Sequence, residues 1–101
     1  MNSDPHYLDE AFEVVCREIT ELFIRKHQDY GKENVLEMEE LGIAFRTSEK
    51  IARLKNLLRE NKVPTNESLE ETWKDIAVYA VIAVLFRRGW FQKLDIKRED
   101  T

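Results

Sequence analysis

The sequence predicts an all-α fold, an antiparallel bundle of three long helices with a short additional one. Apolar residues recur every three or four positions through most of the chain, which is the period of one helix face. No stretch alternates apolar and polar residues as a half-buried strand does. Residues that favour helix ends, such as Asp4-Pro5 and Gly89, border the periodic stretches.

The first predicted helix begins at Asp4-Pro5, an N-cap followed by proline at the first helical position, and ends near Gln28. Lys32–Leu41 is then expected to be a loop or a short helix, and Gly42 to break the helical structure again. The apolar face of the first predicted helix is formed by Leu8, Phe12, Val15, Ile19, Leu22 and Phe23.

The second long helix is predicted to begin at about Ile43 or Thr47 and to end at Asn61. Residues 63–66 form a connector, because Pro64 disfavours helix before it.

The third helix begins with a capping box and ends at about residue 88, before a glycine. Its C-terminal half is apolar nearly all round, which predicts burial on several sides. The capping box is Ser68 and Glu71, and the glycine is Gly89. After this helix the chain is expected to fold back at Trp90, Phe91 and Leu94 and to end in a C-terminal tail at about 93–101.

Composition limits the possible classes of function. A length of 101 residues fits one domain, residues 1–101. A net charge of −4 argues against binding of duplex nucleic acid. One cysteine, Cys16, excludes an intrachain disulfide and a cysteine-based zinc site. The acidic N-terminus and the short apolar runs predict neither a signal peptide nor a membrane span, so we expect a cytoplasmic protein.

The third helix carries two acids with functional potential. Glu71 and Asp75 are four residues apart and share a helix face. Asp75 lies beside apolar positions, where a buried carboxylate needs a compensating charge. Either a metal ion compensates it, or Glu71 belongs to the cap and Asp75 pairs with a basic residue of the second helix.

The second helix offers a matching face. Glu49 and Arg53 share it with Asn56, and Lys50 lies beside it. Antiparallel pairing with the third helix would bring Glu49 and Arg53 towards Asp75. Converging carboxylates favour a hard cation such as Mg²⁺, and Lys50 and Arg53 suit phosphate oxygens. The alternative is a solvated helix surface with ordinary ion pairs.

The end of the first helix mixes basic and aromatic residues. Lys26 suits a phosphate and Tyr30 suits stacking on a base. The alternative is a basic helix end that complements the helix dipole, followed by a glycine turn. His27 is expected to be a surface residue.

Short motifs in this order resemble the MazG-like, all-α nucleoside triphosphate pyrophosphohydrolases, most of all the small bacterial and phage nucleotide-modification-associated domains. The resemblance extends from Lys26 to Phe86. The motifs are K-H-Q-D-Y-G at 26–31, Asn34, G-I-A-F-R at 42–46, E-K-I-A-R-L-K-N-L-L at 49–58 and E-S-L-E-E-T-W-K-D-I-A-V-Y-A at 67–80.

The resemblance implies a homodimer or homotetramer that cleaves a nucleoside triphosphate to the monophosphate and pyrophosphate with Mg²⁺, or Mn²⁺ in its place. Family metal ligands come from an EExxE motif and an ExxD motif. In register, Glu49 and Asp75 match these acids. The other EExxE positions hold Lys50 and Arg53, and the Glu of ExxD is Thr72, with Glu71 beside it.

The sequence therefore predicts a Mg²⁺-dependent pyrophosphohydrolase. Glu49, Glu71 and Asp75 are the expected metal ligands, and Glu49 and Glu71 are the candidates for orienting the attacking water. The expected substrate-binding residues are Lys26, Tyr30, Asn34, Lys50 and Arg53. The basic replacements at 50 and 53 leave open a non-catalytic nucleotide-binding or helical adaptor module.

Self-association is expected on independent grounds. Three helices of this length leave more large apolar side chains than they can cover, and such patches usually mark an interface. The side chains expected to exceed that cover are Phe45, Val78, Ile82, Trp90 and Phe91.

Overall fold

A computed structural model describes residues 4–30, 32–60 and 66–97 of the chain, without the side chains at 29, 30 and 66–68. Within these ranges the chain forms four helices and no strand. The all-α prediction, three long helices and a short fourth, is thus confirmed. The helices are α1 (Leu8–Tyr30), α2 (Glu33–Arg59), α3 (Asn66–Arg87) and α4 (Trp90–Lys93).

Helix α1 begins three residues later than the sequence predicts. Asp4 and Pro5 precede the helix, and the first bond of the turn joins the Ala11 amide to the Tyr7 carbonyl at 3.0 Å. Two acids, Asp9 and Glu10, occupy the first turn, where they complement the positive end of the helix dipole. The acid-rich turn at residue 8 therefore sets the start of the helix, and the prediction of a cap at residue 4 is wrong.

Helix α2 is bent at Glu39, where φ is 57° and ψ is −177°. The segment before Gly42 is helical but belongs to α2 and is not a separate short helix. The predicted break at Gly42 and the predicted start at about Ile43 or Thr47 are wrong, because α2 begins at Glu33 and Gly42 lies inside it. A Cβ at position 42 would collide with the Met38 Cγ. Gly42 is therefore not the site of the bend. Its lack of a side chain leaves room for Met38, which lies one turn earlier and next to the bend at Glu39.

Helix α3 begins two residues before the predicted capping box, and the side chain of Ser68 lies outside the described residues. The stop at Gly89 is confirmed: its φ is 73°, and its amide donates to the Phe86 carbonyl at 3.0 Å. A left-handed residue here lets α4 turn back. Of the three residues expected to fold back, Phe91 is buried, while Trp90 and Leu94 stay exposed.

Helix α3 is the centre of the fold and runs antiparallel to α2. Lys50, in the second half of α2, binds Asp75 in the middle of α3, and Arg87 at the end of α3 donates to Glu40 in the first half of α2 at 2.7 Å. Helix α1 packs on another side of α3. The core consists of Ile43, Val78, Ile82 and Phe91, packed against Ile19, Leu22, Phe23, Val35, Leu36, Met38, Tyr79, Ala83, Leu85 and Phe86.

One chain leaves α3 incompletely covered. Val81 and Val84 are about half exposed, so the predicted burial on several sides does not occur within a single copy. The radius of gyration is 15.7 Å, against about 13 Å for a compact domain of this length. Among the described helices, none combines the length and apolar character needed to cross a membrane.

Candidate functional site

A cavity of about 350 Å³ opens where the end of α1, both arms of α2, the middle of α3 and α4 meet. This volume is at the lower end of the range of small-molecule sites, about 300–1,000 Å³. Its polar lining residues are Lys26, His27, Asn34, Arg46, Lys50, Asp75 and Tyr79, and its apolar ones are Phe23, Val35, Met38, Val78, Ile82 and Phe91.

The Asp75 carboxylate is bound by two lysines from different helices. Lys26 of α1 donates to Oδ1 at 2.7 Å, and Lys50 of α2 donates to Oδ2 at 3.3 Å. The Asp75 side chain is 19% exposed, and charge-assisted hydrogen bonds compensate the cost of removing it from water. The predicted pairing of Asp75 with a basic residue of the second helix is therefore observed, while the cap predicted for Ser68 and Glu71 depends on a side chain outside the described residues.

The charge around this cavity is opposite to that of the whole chain. Lys26, Arg46 and Lys50 line it, and Asp75 is the acid among its described lining residues. The net charge of the chain is −4. A cluster of cations within an apolar wall concentrates positive potential, so the cavity suits an anionic ligand.

Aromatic side chains also line the cavity. The His27 ring lies 5.5 Å from the Phe23 ring and 6.1 Å from the Phe91 ring, measured between centroids, and the second pair meets edge to face. His27 is half-buried here and not the surface residue that the sequence suggested. Lys50 Nζ also lies 5.9 Å from the centre of the Tyr79 ring. These flat faces suit a planar group such as a nucleobase.

Lys32 fixes the position of Phe91 at the cavity wall. Its ammonium donates to the carbonyls of Gln92 at 3.2 Å and Leu94 at 2.8 Å, and lies 5.8 Å from the centre of the Phe91 ring. Because these carbonyls lie at the end of α4, Lys32 both caps that helix and attaches it to the start of α2.

Sequence reasoning missed several residues that line the cavity, among them His27, Arg46 and Phe91. For two of these residues the sequence contains a helical spacing that could have indicated their place in the site. His27 follows Phe23 by four residues and Arg46 precedes Lys50 by four, so each pair shares a helix face. Phe91 had no such spacing, since its place depends on the turn at Gly89 and on Lys32.

The predicted site residues divide into two groups. Lys26, Asn34, Lys50 and Asp75 line the cavity together. Glu49, Arg53 and Glu71 are exposed and do not line it, and the side chain of Tyr30 lies outside the described residues. Glu49 is turned about 100° from Lys50 around α2, which explains why the lysine faces Asp75.

A metal site would depend on few protein ligands. Within residues 4–30, 32–60 and 66–97, no group of three or more His, Cys, Asp or Glu side chains could hold a metal ion. Asp75 nevertheless fits the usual Mg²⁺ arrangement of one or two carboxylates with substrate phosphates and water. Thr72, one turn before Asp75, is buried. Metal binding by Glu49, Glu71 and Asp75 therefore stays a prediction.

Comparison with known proteins adds no assignment to this geometry. Neither the family models, nor the curated proteins, nor the solved structures include a significant match to this chain. The functional interpretation therefore depends on the residues around Asp75.

Proposed function

We propose that this protein is a Mg²⁺-dependent nucleoside triphosphate pyrophosphohydrolase of the MazG-like type. It would cleave ribo- or deoxyribonucleoside triphosphates to the monophosphate and pyrophosphate. The supporting observation is the Asp75 carboxylate, bound by Lys26 and Lys50 inside a cavity that is lined by cations and aromatic rings. The resemblance gives Asp75 the role of a metal ligand.

The cations and the aromatic rings of the cavity suit different parts of the substrate. Lys26, Arg46 and Lys50 would bind the phosphates, since fixed cations stabilise the charge that develops during phosphoryl transfer. The rings of His27 and Phe91 would contact the base. Asn34 lines the same cavity and would hydrogen-bond to the base or sugar, with Tyr30 as a second candidate.

The reaction adds water to the α-phosphorus and breaks its bond to the oxygen that bridges to the β-phosphate, so that pyrophosphate leaves. Mg²⁺, when bound, would neutralise phosphate charge. Asp75 would hold it, with Glu71 and Glu49 as further ligands, and a proton of the attacking water would pass to Glu49 or Glu71. Both glutamates are exposed, so these two roles require them to turn towards the bound substrate.

One observation favours a second candidate, a non-catalytic nucleotide-binding or helical adaptor module. Both oxygens of Asp75 already accept hydrogen bonds from lysines, and Glu49 and Glu71 do not line the cavity. A site of this kind can bind phosphate through its cations without a metal ion.

We also propose self-association as a homodimer or homotetramer and a cytoplasmic location, with no affinity for duplex nucleic acid. The exposed apolar side chains support the first point. Of the five side chains that the sequence expects to exceed the cover of one copy, Phe45 and Trp90 are exposed, whereas Val78, Ile82 and Phe91 are buried within one copy.

A product assay tests the proposed function. The purified protein is incubated with a panel of nucleoside triphosphates, with Mg²⁺, with Mn²⁺ and with a chelator, and the products are separated. Monophosphate and pyrophosphate formed with metal alone are the expected result. Intact triphosphate across the panel would contradict catalysis, and calorimetric binding without metal would then support the nucleotide-binding module.

A further inference from the structure

Two cations that suit a phosphate are bound to a carboxylate of the chain itself. Lys26 and Lys50 both donate to Asp75, one to each carboxylate oxygen, at 2.7 and 3.3 Å. Carboxylate and phosphate oxygens accept the same charge-assisted hydrogen bonds from an ammonium group. Asp75 therefore takes the place that an anionic ligand would have between the two lysines.

Both lysines can leave Asp75 without a change in the helices. An ammonium group on a flexible stem of four carbons is a donor that turns easily towards a new acceptor. The Lys26 side chain is 47% exposed and the Lys50 side chain is 31% exposed, and both line the cavity together with Arg46. A phosphate in this cavity would therefore take over hydrogen bonds that Asp75 accepts.

The Asp75 carboxylate, in contrast, has little access to water. It lies in the middle of α3, and its side chain is 19% exposed. A carboxylate that loses its cations at such a place is costly, because water replaces them only in part. A phosphate beside it adds repulsion between like charges. Binding of a metal-free phosphate therefore carries a penalty that comes from Asp75.

A phosphate that carries a divalent cation would not meet this penalty. Proteins commonly bind Mg²⁺ through one or two carboxylates together with substrate phosphates. Asp75 is the acid among the described residues that line the cavity. It would exchange its two lysines for the metal ion while the lysines pass to the phosphates, so that each charge keeps a partner of opposite sign.

We propose that Asp75 is a specificity-determining residue, which competes with metal-free phosphates for Lys26 and Lys50 and so makes the cavity selective for the metal-bound form of its ligand. The inference rests on the proposed function, in which Asp75 holds the metal and the lysines bind the phosphates. It adds the form in which the nucleotide binds. Phosphates and metal enter together, because the lysines keep a free metal ion from Asp75 and Asp75 keeps a free phosphate from the lysines.

Calorimetry with inorganic pyrophosphate tests this competition without turnover. The Kd is measured for the wild type and for Asp75→Asn, once with a chelator and once with excess Mg²⁺. With the chelator we expect Asp75→Asn to bind about tenfold more tightly, which corresponds to wild-type lysines that are free of Asp75 for about a tenth of the time. With Mg²⁺ this gain should disappear, because the wild-type carboxylate then holds the metal.

Glu70→Gln is the matched control for Asp75→Asn. It removes the same charge from an exposed position of α3 that does not line the cavity. Its Kd should equal that of the wild type in both solutions. A gain as large as that of Asp75→Asn would mean that the net charge of the chain sets the affinity, and it would overturn the proposal.

Binding of Mn²⁺ to Lys50→Met tests the other half of the exchange and does not require Asp75→Asn to fold. Methionine frees one oxygen of Asp75 and removes a positive charge beside it. Without phosphate, we expect Lys50→Met to bind Mn²⁺ about tenfold more tightly than the wild type, measured from the signal of free Mn²⁺ in electron paramagnetic resonance. Lys55→Met, which changes an exposed lysine of α2 outside the cavity, should bind Mn²⁺ as the wild type does.

Several results would overturn the competition. They are unchanged or weaker pyrophosphate binding by Asp75→Asn with the chelator, no pyrophosphate binding by either protein, and equal Mn²⁺ binding, including none, by Lys50→Met and the wild type. The product assay is independent of these measurements. Nucleotide turnover without the gain in Asp75→Asn would keep the enzyme and remove the competition, whereas the gain without turnover would place the competition in a non-catalytic nucleotide site.

Discussion

Lys26 and Asp75, which are 49 residues apart, are joined by a 2.7 Å hydrogen bond between the ammonium and carboxylate Oδ1. Lys50 occupies the other oxygen at 3.3 Å. Asp75 is thus the point where α1, α2 and α3 are connected through charge. A phosphate that entered the cavity would compete with Asp75 for both lysines, so the carboxylate also sets how tightly an anion binds.

The first prediction concerns Asp75→Asn. The amide keeps the shape and still accepts a hydrogen bond, but it lacks the charge that would hold Mg²⁺. We expect turnover to fall by about 100-fold or more, while the free energy of unfolding falls by less than about 2 kcal/mol. Product formation and urea unfolding measure the two effects.

The matched control for this change is Glu70→Gln, an exposed acid on the same helix that does not line the cavity. Its activity should equal that of the wild type. Wild-type turnover in Asp75→Asn would remove Asp75 from the mechanism.

The second prediction concerns the two lysines. Replacing Lys50 or Lys26 with methionine keeps most of the aliphatic chain and removes the charge. We expect the Kd for a nucleoside triphosphate, measured by calorimetry with a chelator present, to rise about tenfold for each, or about 1.4 kcal/mol. The Lys50 effect should be larger, since Lys50 is 31% exposed and Lys26 is 47% exposed.

Lys55→Met serves as the control for both variants, because Lys55 is an exposed lysine of α2 outside the cavity. Its Kd should match that of the wild type. Equal Kd values for all three variants would show that the phosphates bind elsewhere.

Much of the fold follows from local sequence signals. The periodic apolar residues, the glycine after α3 and the connector before it predict three long helices and a short fourth, because these signals act within one or two turns. The bend of α2 could not be located in the same way. Gly42 was the predicted break, but the bend is at Glu39, and the helix continues through Gly42, where a Cβ would collide with the Met38 side chain.

The candidate site is only partly predictable for the same reason. The pairing of α2 with α3 follows from their lengths and the short connector, so a basic partner for Asp75 on α2 could be anticipated. Which residue faces it depends on the rotation of α2 about its axis, and this rotation selects Lys50 over Glu49. The positions of Lys26 and Phe91 depend on tertiary packing of α1 and α4 that no local pattern encodes.

The third prediction concerns pH. The hydrogen bond from Lys74 to Glu18, 2.9 Å long, raises the pKa of the Lys74 ammonium above 10.5, and the nearby Glu70 and Glu71 add to the effect. Stability from a raised lysine pKa is fully present below the unfolded value and is lost as pH rises through the folded value. Urea midpoints of the wild type and Glu18→Gln should therefore differ at about pH 9 and converge by about pH 12.

Glu21→Gln is the control for this pH series, since Glu21 is another exposed acid of α1. The difference in urea midpoint between Glu21→Gln and the wild type should stay the same from about pH 9 to about pH 12. A wild-type advantage over Glu18→Gln that persists above the lysine range would mean that Glu18 stabilises the fold through something other than the charged Lys74.

The fourth prediction concerns the turn between α3 and α4. Gly89 has a φ of 73°, and a Cβ built on it meets nothing within 4 Å. The cost of a side chain there is therefore conformational and not steric. We expect Gly89→Ala to lower the free energy of unfolding by about 1 kcal/mol, which corresponds to a fall in Tm of about 4–8 °C for a domain of this size.

Gly89→Asn distinguishes backbone strain from other causes, because asparagine tolerates the left-handed region better than alanine does. Compared at one protein concentration, its Tm should lie between those of the wild type and Gly89→Ala. Equal losses would indicate that any side chain disturbs a contact at this turn. No loss in either variant would mean that the turn adopts another conformation, and Phe91 would then lack the support that places it in the core and at the cavity wall.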